Sequence, residues 1–215
     1  KNIYVQTKTG QPSLTLEFPF KDNRDKWKSK PNQYVSRLLN SQEENSLFSY
    51  LTDEGYIESG VASINPNVWG ADGAVFFDFT LTSKGLANKD LVIDLTFKYI
   101  DLISTQGINK KYYDEMKAIN DREFEDYTPP QALSMAVNFG SQIFDVPIEN
   151  LIDYNLRTDF FDEKAIQDVL SQLVPSNVRI YHLSPDESTS IDLKYADGSY
   201  RVETIPQDDL TNWGN

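Results

Sequence analysis

The stretch Ser13-Leu-Thr-Leu-Glu-Phe-Pro-Phe20 alternates apolar and polar residues and decides how the fold begins. The four apolar side chains at its even-numbered positions fall on one face, which is the pattern of a half-buried β-strand. Pro19 has no N–H group to donate to a neighbouring strand, so we expect the strand to end there or to lie at a sheet edge. The first core element is therefore predicted to be a β-strand.

Two further strands are predicted over Tyr56 to Ile64 and Gly73 to Thr82. In the second of these, alternate apolar side chains again point one way, as they do in the first strand. The connection between them is rich in Asn, Pro, Gly and Asp, so the pair is predicted to form a hairpin. Within that connection, Trp69 is expected to fold onto its own hairpin rather than to form an exposed contact surface.

Helices are predicted on both sides of this hairpin. From Asn88 the apolar period changes from 2 to 3.6, and the apolar stripe of that helix is predicted to be Leu91, Leu95, Tyr99 and Leu102. The predicted helices cover Pro31 to Leu39, Ser46 to Glu54, Asn88 to Gly107, a segment that begins at Asn109, Gln131 to Phe144, Ile148 to Asn155 and Asp162 to Leu173. A last strand is predicted over Asn177 to Leu183.

Strands that come early and helices that come later indicate an α+β fold, with an antiparallel sheet and helices packed on one face. Residues 1–184 are predicted to form one domain. The polar residues 185–215 are predicted to be an extension toward a next domain, against which Trp213 would pack. The chain starts with strand-like residues and no initiator Met, which indicates either a piece of a longer chain or a processed N-terminus.

The composition excludes several classes of function. The 215 residues carry a net charge of -13, and such an acidic surface repels phosphate groups, so neither nucleic acid nor membrane is expected as a partner. The chain has no cysteine and one histidine, so it cannot form a thiol nucleophile or a histidine-based zinc site. That histidine, His182, is expected to be a packed strand residue, and neither a metal site nor a catalytic residue is predicted in this chain.

The sequence gives little indication of a catalytic carboxylate pair or a catalytic serine. Pairs of carboxylates are common, but with 33 acidic residues such pairs arise by chance and are expected to be solvated charges. Ser134, Ser141 and Ser171 lie in helical segments without the sharp turn of a nucleophile elbow, and His182 would have to serve as their base. An independent carboxylate hydrolase is a third alternative.

Several segments, in order and at matching spacing, resemble the pitrilysin (protease III)/insulin-degrading enzyme family of zinc metallopeptidases, peptidase family M16. They are Phe18-Pro-Phe20, Lys28-Ser-Lys-Pro31, Leu38-Leu-Asn40, Ser46-Leu-Phe-Ser-Tyr-Leu51, Leu81-Thr-Ser-Lys-Gly-Leu86, Tyr99 to Gly107 and Pro175-Ser-Asn-Val-Arg179. The resemblance covers essentially the whole chain. It is to the second of the four homologous domains that these enzymes contain.

The resemblance implies a non-catalytic role for this chain. The family binds Zn²⁺ through a His-x-x-Glu-His helix of its first domain, and this sequence has no such motif. Zinc is therefore expected in the catalytic domain of a parent protein, with no cofactor in this chain. Other domains of the same polypeptide and a peptide substrate are the implied partners, and likeness to periplasmic relatives implies a periplasmic location.

One binding site is also implied by the resemblance. In insulin-degrading enzyme, the second domain anchors the N-terminal end of the substrate, largely through backbone groups of a strand edge. The matching positions here are Asn40, Gln42, Gly60 and Ala62, although Gln42 stands where that relative has an acidic residue. The chain is thus expected to be a chamber-forming, substrate-binding domain of a metalloendopeptidase. The alternative is a purely structural, degenerate repeat that supports the catalytic domain without contacting substrate.

Overall fold

A computed structural model of the chain describes residues 1–68, 72–194 and 197–214. Within these residues seven strands form one sheet. They are β1 (Asn2–Gln6), β2 (Ser13–Lys21), β3 (Ile57–Asn65), β4 (Asp72–Leu81), β5 (Arg179–Ser184), β6 (Ile191–Asp192) and β7 (Ser199–Glu203). Their order across the sheet is β3-β4-β2-β5-β1-β7-β6, which makes β3 and β6 the edge strands.

The described residues also contain eight α-helices. They are α1 (Pro31–Leu39), α2 (Leu47–Asp53), α3 (Ser83–Ala87), α4 (Lys89–Gln106), α5 (Lys110–Glu125), α6 (Ala132–Gln142), α7 (Glu163–Leu170) and α8 (Gln207–Trp213). Short 3-10 helices lie at Arg24–Lys26, Ile148–Asn150 and Pro175–Asn177. The segment 148–155 was predicted to be a helix, and it is instead this one short 3-10 helix followed by turns.

The predicted hairpin is present, since β3 pairs antiparallel with β4 from Ile57 to Asn65. Trp69, whose packing was predicted, lies outside the described residues. On its other side β4 pairs with the full length of β2. Because β5 pairs with the opposite side of β2, β2 is an interior strand. Pro19 fits there because β5 pairs with β2 only between Ser13 and Glu17, and the strand is unpaired on that side at the proline.

The α+β class is confirmed, but the sheet is mixed rather than wholly antiparallel. β5 lies between β1 and β2, antiparallel to β2 and parallel to β1. Because the two N-terminal strands are separated in this way, they do not form a hairpin with each other. Residues far apart in sequence therefore define the middle of the sheet, a pairing that local periodicity does not indicate.

The segment after β5 returns to the same sheet, so the strand predicted near residue 180 is not the last. β7 pairs antiparallel with β1 from Ser199 to Glu203, and Ile205 is buried in the core. Trp213 stacks on Phe97 of α4, with 5.2 Å between the ring centroids. Its contact is thus within this chain, in contrast to the predicted packing on a neighbouring domain.

The core lies on one face of the sheet. Phe18 of β2 makes edge contacts with Phe77 of β4 and with Phe97 of α4, and Phe48 of α2 packs on Phe79 of β4. On α4 the buried residues are Val92, Ile93, Thr96, Phe97, Ile100 and Ile103. Of the stripe predicted for α4, Leu95 and Tyr99 pack against the core, whereas Leu91 and Leu102 are exposed. The helix is apolar around most of its circumference, so periodicity alone does not select the packed face.

Candidate functional site

The C-terminal end of α1 contacts the edge strand β3 through the side chain of Asn40. Asn40 Nδ2 donates to the carbonyl oxygen of Ala62 at 2.7 Å, and the Ala62 N–H donates to Asn40 Oδ1 at 2.8 Å. Nδ2 also donates to the Ser36 carbonyl at 2.8 Å, which ties the amide to the last turn of α1. The asparagine side chain thus satisfies both backbone groups of Ala62, as a neighbouring strand would.

These bonds fix which way the backbone groups of β3 point. Since both groups of Ala62 bond to Asn40, they point away from β4 and toward the open edge. Gly60 precedes Ala62 by two residues, so its N–H and C=O groups point toward the same edge. Among the described residues, no side-chain hydrogen bond covers Gly60 as Asn40 covers Ala62. The edge is therefore capped at one position and open at the next.

Gly60 is required by the close approach of α2. A Cβ atom at this position would lie 2.4 Å from Cδ1 of Phe48, whose ring is buried. Every other residue type would have to displace that ring from the core. The glycine therefore brings helix α2 directly against the strand, next to the open edge.

Gln42 lies in the α1–α2 connection and is exposed, with its Nε2 donating to the Asn40 carbonyl at 3.2 Å. The exposed carboxylates of Glu43 and Glu44 follow it. The structure therefore brings Asn40, Gln42 and Ala62 together by direct hydrogen bonds, with Gly60 two residues away on the same edge. Their role in substrate binding remains a prediction.

A cleft of about 450 Å³ adjoins this region, between the α1–α2 connection, α4 and α5. Its lining contains the carboxylates of Glu43, Glu44 and Glu115, the guanidinium of Arg37, and aromatic walls that include Tyr99. Burial, and secondarily the charge of Glu43, raise the pKa of the Tyr99 hydroxyl. Sequence reasoning missed this cleft because its lining residues lie on segments more than fifty positions apart.

His182 is a core residue of β5, only 4% exposed. Its ring stacks on Tyr4 of β1 with 4.5 Å between centroids and an interplanar angle of 12°. Burial, and then the positive charges of Lys89 and Arg201, lower its pKa to about 3. The imidazole is therefore neutral at physiological pH and packs as an aromatic ring.

The donor set does not fit the zinc site of the resembled family. The chain has one histidine and no cysteine, and the described residues hold no group of three His, Cys, Asp or Glu side chains that could ligate a metal ion. No catalytic step through a metal is therefore derived for this chain. Over the same residues, no helix combines the length and apolar character needed to span a bilayer.

Comparison with known proteins identifies relatives along the whole chain. A family profile described as the peptidase M16 inactive domain matches residues 1–120, and one described as the middle or third domain of peptidase M16 matches residues 123–215. Both matched segments contribute strands to the same sheet, since β1 to β4 come from the first and β5 to β7 from the second.

Individual relatives are much longer than this chain. Protease 3 of Escherichia coli strain K12 is 29% identical over 200 residues, which cover 93% of this chain and 21% of that protein. Insulin-degrading enzyme of Drosophila melanogaster is 28% identical over 210 residues, which cover 94% of this chain and 21% of that protein. The chain thus spans about a fifth of the length of these relatives.

Solved structures agree with the sequence matches. The crystal structure of pitrilysin superposes with a TM-score of 0.91 and 28% identity, covering 99% of this chain and 23% of that one. The crystal structure of a peptidase M16 inactive domain from Pseudomonas fluorescens shares the fold, with a TM-score of 0.57 and 16% identity. That match covers 88% of this chain and 44% of the Pseudomonas chain. The chain therefore belongs to the peptidase M16 family, as a non-catalytic domain of the pitrilysin type.

Proposed function

We propose that this chain forms part of the wall of a peptide chamber in a pitrilysin-like zinc metalloendopeptidase and binds substrate at the edge of β3. The observation that carries the proposal is the geometry of that edge. The backbone groups of Gly60 point outward and are open, whereas those of Ala62 are capped by Asn40. An extended peptide can pair with such an edge by backbone hydrogen bonds, as in β-strand addition.

The cap at Ala62 sets where the added strand would stop. A peptide that pairs at Gly60 meets the Asn40 amide one ladder position further along the edge. Beyond it lie Gln42 and the carboxylates of Glu43 and Glu44, which favour a cationic group such as a free peptide amino terminus. The proposal therefore places the amino-terminal end of the substrate at the α1–α2 connection, with its following residues along β3.

Catalysis in this proposal belongs to another domain of the parent polypeptide, which would hold the zinc ion. The other domains and the peptide are the partners, and the periplasm is the proposed location. The division into a domain over 1–184 and an extension over 185–215 stays a prediction. A peptidase assay on the isolated chain with added Zn²⁺ is expected to show no cleavage, and robust chelator-sensitive cleavage would overturn the assignment.

A specific observation also favours the structural alternative. The Asn40 cap removes one of the open positions of β3, and natural proteins block sheet edges in this way to prevent unwanted strand pairing. If the whole edge is protected in solution, the domain supports its neighbours without contacting substrate. The two functions therefore differ in whether an extended peptide pairs with Gly60.

The experiment is an NMR titration of the ¹⁵N-labelled chain with one extended peptide, prepared with a free and with an acetylated amino terminus. Shifts confined to Asn40, Gln42 and residues 60–64 are expected, and an absence of shifts at millimolar peptide would favour the structural alternative. The variant Gln42→Glu is expected to bind the free form up to about five-fold more tightly, as for an exposed ion pair of about 1 kcal/mol. The acetylated peptide is the matched control and is expected to bind both variants equally.

A further inference from the structure

Helix α6 has an unusual composition and burial. The segment 128–144, which contains it, has no charged residue, in a chain in which 25% of the residues are charged. None of the residues of α6 is buried. Met135, Phe139 and Gln142 are half-buried and the other residues of the helix are exposed. Burial therefore stabilises this apolar helix only partly, and its other apolar side chains are in contact with water.

The exposed apolar side chains lie on one side of the helix and in the segment that follows it. Leu133 is 78% exposed and Val137 is 62% exposed, and they lie one turn apart on the same side of the helix. Phe144, two residues past the end of the helix, is 93% exposed. The segment that follows carries two further exposed apolar residues, Ile148 at 73% and Ile152 at 57%. We name these five residues the α6 apolar surface. Scattered exposed apolar residues are ordinary, but a grouped set of this kind marks an interaction site.

Gly140 lies on the same side of the helix as Val137, one turn further along. A Cβ atom added there would meet no atom within 4 Å, so no contact in the described part of the chain requires a glycine. In a helix interior, glycine costs about 1 kcal/mol relative to alanine. Glycine at this position would let the backbone of a partner approach the helix closely.

We propose that the α6 apolar surface docks against an apolar surface of another domain of the same polypeptide, an inference that rests on the proposed function. The curated relatives carry this unit as about a fifth of one chain, so a neighbouring domain would be covalently held close to it. A second copy of this chain fits less well, because two bodies of net charge -13 repel each other. The proposed partner surface is therefore apolar and lies on another domain of the same polypeptide.

Hydrogen–deuterium exchange tests the docking, measured on the 215-residue chain and on the complete parent polypeptide. Amides of residues 136–142 are expected to exchange at least ten-fold more slowly in the parent than in the isolated chain. Equal exchange in the two proteins would overturn the proposal. A second copy of the chain would give a different result. The isolated chain would then already be protected, and sedimentation would show a dimer that Val137→Ser dissociates. That result would also overturn the proposal.

Gly140→Trp gives a second readout that does not depend on exchange. The isolated chain has open space at this position, so its midpoint of thermal unfolding is expected not to fall, while the ten-fold protection of α6 in the parent is lost. Glu123→Trp, on the exposed surface of α5, is the matched control and is expected to leave that protection intact. Retained protection in the Gly140→Trp parent would overturn the proposal. The peptide titration at Gly60 is separate, so a failure of the substrate-binding function is recognised independently.

Discussion

Helices α4 and α6 are both rich in apolar residues, yet the structure uses them in opposite ways. α4 carries charged residues along its length and buries six residues against the sheet and α8. α6 carries no charged residue and buries none. The comparison shows that apolar content does not tell where a helix packs. What matters is whether the rest of the chain supplies a complementary surface, as β2 and Trp213 do for α4.

The largest difference is expected from truncating one side chain on each helix. Phe97→Ala removes a buried ring that contacts Phe18 and Trp213, and such core truncations cost about 3–5 kcal/mol. Val137→Ala on α6 removes an exposed side chain and is expected to change the free energy of unfolding by less than about 0.5 kcal/mol. Urea unfolding of both variants measures this contrast. Similar losses in the two would show that α6 packs within the isolated chain.

A smaller effect is expected from protonation of the buried ring of His182. In the unfolded chain His182 has its ordinary pKa near 6.5, whereas in the folded chain its pKa is about 3. Between these values protons bind the unfolded state preferentially, so stability falls as the pH is lowered. From pH 7 to pH 5 the expected loss is about 2 kcal/mol.

His182→Phe provides the control for that pH dependence. Phenylalanine keeps a ring on Tyr4 and has no titratable group. It removes the long contact of 3.4 Å between Nε2 of His182 and Oδ1 of Asn2, whereas Nδ1 has no hydrogen-bond partner within the described residues. The variant is expected to lose little stability between pH 7 and pH 5 in urea unfolding. An unchanged slope in the variant would assign the pH dependence to other groups.

Much of the sheet could be predicted from sequence because its pattern is local. The alternation in β2, the hairpin of β3 and β4, and the helix α2 all depend on neighbouring residues. The insertion of β5 between β1 and β2 depends on pairing across more than 160 positions, for which there is no local signal. β7 was missed for a related reason, since its short polar sequence becomes a strand only through pairing with β1.

The candidate site was predictable in part. The resemblance placed Asn40, Gln42, Gly60 and Ala62 at matching positions, and the structure shows that three of them are joined by hydrogen bonds. The Asn40 cap was not predictable, because it depends on the distance between the end of α1 and an edge strand twenty residues later. The requirement for glycine at position 60 likewise depends on the position of Phe48 in α2.

Asn40→Ala tests how much the Asn40 cap on β3 contributes to the free energy of unfolding. The substitution leaves the two outward groups of Ala62 without their partner, and an unpaired buried polar group costs about 1–3 kcal/mol. Because the edge becomes open at Ala62, water replaces part of the lost bonding, and we expect about 1 kcal/mol in urea unfolding. Ser41→Ala, which removes an exposed-loop hydroxyl that accepts from the Glu43 N–H, is the matched control and is expected to cost less. Equal losses would show that the cap contributes nothing specific.

The smallest expected change is at Gly140 on α6, and it is compared with the change at Gly60 beside α2. Gly140→Ala meets open space on α6 and removes the entropic cost of glycine in a helix, so we expect a gain of about 0.5–1 kcal/mol in the isolated chain. Gly60→Ala places a methyl group 2.4 Å from Cδ1 of Phe48 and is expected to destabilise the chain, since overpacking typically costs about 1–3 kcal/mol. Urea unfolding of the two variants gives opposite signs if α6 is free and α2 is packed. A loss of stability in Gly140→Ala would mean that α6 already contacts the domain, and the contrast between the two helices would then not hold.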